Sequence, residues 1–224
     1  MKYGSLFALY GLMLTYEAVF SDGWPRLLLW PALSCFLVAV AYLGFGPGLF
    51  GKREDGSLAG HSLLLLLPYL LFTWGLWHLL RLFRTEDCYN EFAKGLFVGR
   101  RAYPHELPED TTLVVDMTCE FFESQGICNG RSYLCFPTMD GSAPSDESFV
   151  RLVRSVLECP GPVYIHCAEG HGRSGAAAAA VLVVKGQVSS TGEAIAELQR
   201  IRPRIGLNKL QAEAVERVCR RLIA

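Results

Sequence analysis

Apolar and polar positions divide this chain into two unlike parts. Up to about Phe83 the apolar residues come in long stretches: 3–20 with the single charge Glu17, 27–45 with none, and 62–80 with none. Each runs about 18–19 residues, the length a helix needs to cross a bilayer. Glycine and charge interrupt them over Gly46–Gly60, a short loop. Pro68 predicts a kink in the third stretch, not a break. Trp24 and Trp30 flank the start of the second, and Trp74 and Trp77 lie near the end of the third, as interface aromatics do. His61 and His78 fall at span ends. This pattern predicts about three transmembrane helices within residues 1–83. The first stretch lacks a strong basic leader and an A-x-A-like cleavage site, so it reads as a retained span with Glu17 near a membrane face.

From Arg84 onward the pattern is that of a globular domain, 84–224. Leu96–Val98, Thr112–Met117, Ser132–Phe136 and Pro162–His166 are β-type runs, and the second has the unbroken apolar look of a buried central strand. Helical periodicity covers Ser145–Glu158, capped by Ser145, then Ala176–Lys185, stopped by Gly186. Two more helices follow, Thr191–Ile201 and the amphipathic Asn208–Ile223. Strands alternating with helices predict an α/β fold, a mostly parallel central sheet flanked by helices.

Bulk properties narrow the function. The formal net charge of -1 over 224 residues argues against a nucleic-acid-binding surface. The eight cysteines are scattered, with no C-x-x-C pair and no paired metal-ligand spacing, so a disulfide framework is not expected and a reducing environment fits better.

The chemistry concentrates in Val163–Gly175, reading VYIHCAEGHGRSG. A strand ends at His166 and Cys167, five residues follow, and Arg173 and Ser174 open an alanine-rich helix. A glycine-rich turn aims consecutive backbone N–H groups at one spot, and the helix adds its positive end. Gly170 and Gly172 supply the unusual φ angles such a turn needs. Arg173 offers a planar fork for two phosphoryl oxygens. The same dipoles and guanidinium favour Cys167 as a thiolate nucleophile. Ser174 is placed to donate a hydrogen bond to that sulfur.

Cys-x5-Arg followed by Ser, preceded by His and a Val-Tyr-Ile strand, resembles the signature of the cysteine-dependent protein tyrosine phosphatases, in particular the dual-specificity branch. The resemblance covers about Phe97 to Leu222. It implies a phosphatase-like fold, a phosphocysteine intermediate, no metal or other cofactor, and phosphate binding by Ala168, Glu169, Gly170, His171, Gly172 and Arg173. His166 would fix the loop and the thiol. The family's general acid is an aspartate in a loop after a strand; Asp140, after the SYLCF strand, matches it, with Asp146 as rival. Glu120 is a candidate to hold Arg173 or a loop amide. Arg202 and Arg204 are candidates to meet an acidic substrate or a lipid head group, or else are solvated helix-end charges, and Asn208 and Gln211 read as structural.

The expected function is a membrane-anchored phosphatase acting on phosphotyrosine, with phosphoserine and phosphothreonine also open. The alternatives are a phospholipid head-group phosphatase, a non-catalytic phosphate-binding module, and a rhodanese-like sulfurtransferase or arsenate reductase. Glu169 and the absence of loop lysines weigh against highly charged inositol lipids. Lysines and arginines do not decide orientation; a thiolate survives best in a reduced cytosol, which puts the catalytic domain there.

Overall fold

The computed structural model describes residues Lys2–Ile223. The chain forms two compact units. One holds the residues up to Arg53, Ser57–Arg84 and the short segment Cys119–Phe122; the other holds Glu54–Gly56, Thr85–Thr118 and the residues from Glu123 on.

The first unit is helical: α1 (Lys2–Phe20), α2 (Leu29–Val40) and α3 (Gly60–Leu82). A 3-10 turn at Trp24–Leu28 and a π turn at Ala41–Phe45 extend α2 into one helical stretch, Trp24–Phe45. By length and composition two helices are long and apolar enough to cross a membrane, Trp24–Phe45 and Gly60–Leu82. This corrects the expectation of about three spans. α1 has the length, at 19 residues, but Lys2, Ser5, Thr15, Glu17 and its tyrosines and glycines dilute its apolar character. Its glycines, Gly4 and Gly11, are buried. A Cβ at Gly11 would lie 2.7 Å from the Phe36 ring, so α1 and α2 approach closely there.

Pro68 leaves α3 unbroken, and the reason is local. Proline has no N–H, so it strips the carbonyl four residues back, that of Leu64, of its helical donor. The Trp30 indole N–H supplies one, 3.0 Å from Leu64 O. The next amide, Tyr69 N–H, donates to Ser34 Oγ at 3.3 Å, and Ser34 is fully buried. Both substitutes come from α2, so the proline is tolerated because a neighbouring helix completes its ladder. Trp77 is buried against Phe121, and the Trp74 indole donates to Glu120 O at 2.8 Å. These two tryptophans are packing residues within the unit, in the C-terminal half of α3.

The second unit is built on a five-stranded sheet in the order β1-β2-β5-β3-β4. Its strands are β1 (Tyr89–Ala93), β2 (Leu96–Arg100), β3 (Leu113–Thr118), β4 (Ser132–Thr138) and β5 (Val163–Cys167). β1 pairs antiparallel with β2, and the other three pairings are parallel, as expected of a mostly parallel sheet. β1 had no strong sequence signal, because its YNEFA sequence carries polar residues suited to an edge. A short helix, α4 (Gln125–Cys128), precedes β4. The long helices are α5 (Asp146–Glu158), α6 (Arg173–Val184), α7 (Thr191–Ile201) and α8 (Lys209–Ile223).

The four long helices share one core with alternate residues of the strands, such as Val98, Val115 and Ile165. α6 is buried from Arg173 to Val183, and its five consecutive alanines permit close approach on several sides. Burying this helix fixes its N-terminus, where the candidate site lies. Tyr164, Val114, Ala102 and Ile127 form a smaller cluster apart from this core.

Trp30→Phe removes the donor to Leu64 O and should destabilise the helical unit by about 0.6–1.7 kcal/mol, the range for interhelical hydrogen bonds. In a Pro68→Ala background the same substitution should cost markedly less, since alanine at that position brings back the backbone N–H that Leu64 O lacks. Detergent unfolding of the four proteins of that cycle measures the coupling.

Candidate active site

β5 delivers Cys167 to the C-terminal edge of the sheet, in register with Arg100 of β2. The chain turns through residues 168–172 and enters α6 at Arg173. Three carbonyls of this turn are engaged from outside. Ala168 O accepts from Arg101 N–H at 3.3 Å, Glu169 O from Arg202 Nη2 at 3.3 Å, and Gly170 O from Arg202 Nε at 2.9 Å. The Gly170 N–H points the other way and donates to Cys167 Sγ at 3.2 Å. Ser174 Oγ, fully buried on the first turn of α6, lies 3.4 Å from the same sulfur.

Gly170 has φ +79°, and a Cβ there would sit 2.4 Å from the carbonyl carbon of Gly99. Glycine is therefore required twice over, by conformation and by contact. Gly172 differs from expectation: its φ is -90°, an ordinary angle. Its bare Cα instead leaves room for Gln211, whose Nε2 would stand 3.2 Å from an added Cβ.

Arg173 is buried, and its guanidinium faces the loop that follows β4. Nη1 donates to Thr138 O at 2.9 Å, and Nη2 lies 3.5 Å from Asp140 Oδ1. Asp140 is 70 % exposed at that loop's tip. The loop is held from a second side by α8: Asn208 Nδ2 donates to Gly141 O at 2.7 Å and Gln211 Nε2 to Ser142 O at 3.1 Å. Asn208 and Gln211 also cap each other, each backbone N–H donating to the other's side chain. Their structural reading thus acquires a specific task, docking the Asp140 loop. The rival carboxylate, Asp146, is committed to Arg217 at 3.1 Å and Arg221 at 3.0 Å.

Behind the nucleophile, His166 is buried and stacks on Tyr164, with ring centroids 5.5 Å apart. Its Nε2 lies 3.7 Å from Glu123 Oε2 and 4.0 Å from Asp116 Oδ1. Asp116 has no exposure; it accepts from Thr118 N–H at 2.7 Å, Thr118 Oγ1 at 2.8 Å and Tyr133 OH at 2.7 Å. Burial first, and the Asp116 charge second, push the Tyr133 phenol far above its usual range, so it stays a donor. Ligand-type atoms of Asp116, Glu123 and His166 lie within 4.8 Å of one another. The Arg101 guanidinium 3.4 Å from Glu123 already sets a positive charge against them.

The other expected residues take varied places. His171 is in the loop, but its Nε2 is 2.6 Å from Glu86 Oε2, so its ring is tied to Glu86. Ala168 is buried and Glu169 half-buried within the turn. Arg202 is fully buried, with its guanidinium on the Gly170 and Glu169 carbonyls and not at a surface that meets an acidic substrate; Arg204 is exposed. Glu120 accepts the N–H of its own neighbour Cys119 at 3.0 Å. Glu86, Arg101, Glu123 and Tyr133 escaped the sequence reading, because nothing local marks them and only the fold gathers them.

This arrangement holds a sulfur beneath inward-facing donors, with a guanidinium and an exposed carboxylate at the rim. It suits a tetrahedral oxyanion above the thiol. The comparisons agree in type. Residues 109–187 match a family model described as "Tc-R-P: Polymorphic toxin system, DSP-PTPase phosphatase". A putative tyrosine phosphatase of Invertebrate iridescent virus 6 is 35 % identical over 71 residues, 28 % of this chain and 26 % of the viral protein. The chain thus spans about a quarter of the length of that relative. The crystal structure of Tk-PTP in its active form is similar at 27 % identity and TM-score 0.55, covering 60 % of this chain and 97 % of that one. PTPMT1 in complex with PI(5)P shares the fold at 22 % identity and TM-score 0.55, over 61 % and 97 % of the two chains. Over residues 109–187 the chain is thus similar to a dual-specificity-type phosphatase domain.

Gly170→Ala should dismantle the turn. The left-handed angle alone costs about 1–2 kcal/mol for an L-residue, and the clash with Gly99 adds to it. Tungstate, a tetrahedral oxyanion, should no longer raise the melting temperature of this variant, whereas it should raise that of the parent protein.

Proposed function

We propose that the protein is a membrane-anchored phosphatase that hydrolyses phosphomonoesters through a phosphocysteine intermediate. The observation that carries this reading is the joint geometry at Cys167: the Gly170 amide and the Ser174 hydroxyl on its sulfur, and Arg173 reaching Asp140 at the rim. In the first step Cys167 Sγ attacks phosphorus while the loop amides and Arg173 hold the equatorial oxygens. The bond to the leaving oxygen breaks, and Asp140 protonates that oxygen. In the second step Asp140, now a carboxylate, takes a proton from water as the water oxygen displaces sulfur. Ser174 stabilises the departing thiolate. His166 orients the start of the loop, and residues 168–173 bind the phosphoryl group.

The helices Trp24–Phe45 and Gly60–Leu82 support the anchoring, as do the many exposed large apolar side chains of this unit, among them Leu27, Phe45, Phe72 and Leu82. Such side chains are costly in water and suited to lipid. In this reading the catalytic domain faces the cytoplasm. Phosphotyrosine is the leading substrate, with phosphoserine and phosphothreonine next. The same anchoring favours a second reading, a phospholipid head-group substrate.

Cys167→Ser should abolish turnover of p-nitrophenyl phosphate with the melting temperature preserved; retained turnover would sink the mechanism. Asp140→Asn should lower kcat by roughly 10²–10³, the usual scale for a lost general acid, and most for substrates with poor leaving groups. Because every step uses side chains and water, EDTA should leave the rate unchanged. Parallel assays on phosphotyrosine peptides and phospholipid vesicles with the full chain separate the two substrate classes.

A further inference from the structure

Arg202 is the largest fully buried side chain among the described residues, and the mechanism above does not use it. It follows the last residue of α7, at that helix's C-cap. Its donors divide into two sets. Nε and Nη2 reach the Gly170 and Glu169 carbonyls of the turn around Cys167. Nη1 reaches Asp87 O at 2.9 Å and Asn90 Oδ1 at 3.0 Å, while Nη2 also pairs with Glu86 Oε2 at 2.8 Å. Glu86 is in turn bonded to His171 of the turn. A buried guanidinium is costly unless satisfied in this manner. Burial pulls its pKa downward and Glu86 is the foremost influence opposing that pull.

Peptide planarity gives these contacts a consequence at the sulfur. The oxygen and hydrogen of one peptide unit point in opposite directions. Holding Glu169 O outward turns the Gly170 N–H inward, where it meets Cys167 Sγ. Holding Gly170 O outward does the same for the His171 N–H. We infer that Arg202, braced by Glu86, is a positioning residue that fixes two loop carbonyls outward and so keeps the paired amides aimed at the phosphoryl site. This rests on the phosphatase reading for its catalytic consequence, but the loop geometry it describes does not need turnover to be measured.

The test compares Arg202→Met, Arg202→Lys and the milder Glu86→Gln with the parent in the full detergent-solubilised chain. Tungstate affinity, iodoacetate labelling of Cys167 at pH 6 read by mass spectrometry, and kcat and KM on p-nitrophenyl phosphate are measured beside the melting temperature. Arg202→Met should lose roughly 10–100-fold in kcat, the scale of a misaligned site, together with tungstate affinity and Cys167 labelling rate. Lysine restores charge but not the two-carbonyl grip, so it should recover only part of the loss. Glu86→Gln keeps the shape and should show the same three changes at smaller size. A folded Arg202→Met or Glu86→Gln protein with parental tungstate affinity and labelling rate would overturn the inference. So would losses that match the unfolded fraction alone. If the parent binds tungstate and loses it with Arg202 yet turns over no phosphomonoester, the proposed function fails while this inference stands.

Discussion

A peptide unit can send its oxygen and its hydrogen only in opposite directions, and the site depends on that constraint. An anion cup requires several N–H groups facing one point, so the matching carbonyls must face outward and find donors in the protein. Here those donors are Arg101 N–H and the Arg202 guanidinium, from elements far apart in sequence. The turn is held from behind as well as shaped by its own glycines. Gly170 makes the outward arrangement sterically possible, and its contact with Gly99 seats the turn on the sheet edge.

Buried charge at this edge is organised by the same need for satisfaction. Arg100 meets Glu106, Arg101 meets Glu123, Arg202 meets Glu86, and Arg173 meets Asp140. In each pair the arginine is buried, as an isolated cation would not be. The pairs differ in their carboxylates. Glu123 is buried and Glu86 and Glu106 are mostly covered, whereas Asp140 is largely exposed. The Arg173–Asp140 pair is the one open to solvent, which fits the acid role proposed for Asp140. The other three hold the scaffold.

The helical unit solves a related problem with neutral groups. Pro68 leaves a carbonyl without its donor, and Trp30 and Ser34 of α2 complete the ladder. Small residues in α1 and substitute donors in α2 let three helices pack despite a helix-breaking residue.

The sequence by itself determined much of this protein. Unbroken apolar runs marked the helices of the first unit, short β-type runs marked β2 to β5, and the Cys-x5-Arg-Ser frame marked the proposed nucleophile, because these signals are local. Local patterns also misled: α1 matched the length of a span but not its apolarity, and Gly172 looked like a conformational glycine. The tertiary structure alone decided which distant side chains serve the loop. Arg202 and Glu86 lie far apart in sequence and meet behind Gly170 only because α7 packs beside β1. Asn208 and Gln211 found their task when α8 reached the Asp140 loop. Hydrogen bonds across such separations leave no period or spacing in the chain, so they become visible only once the sheet order has brought their partners within about 3 Å.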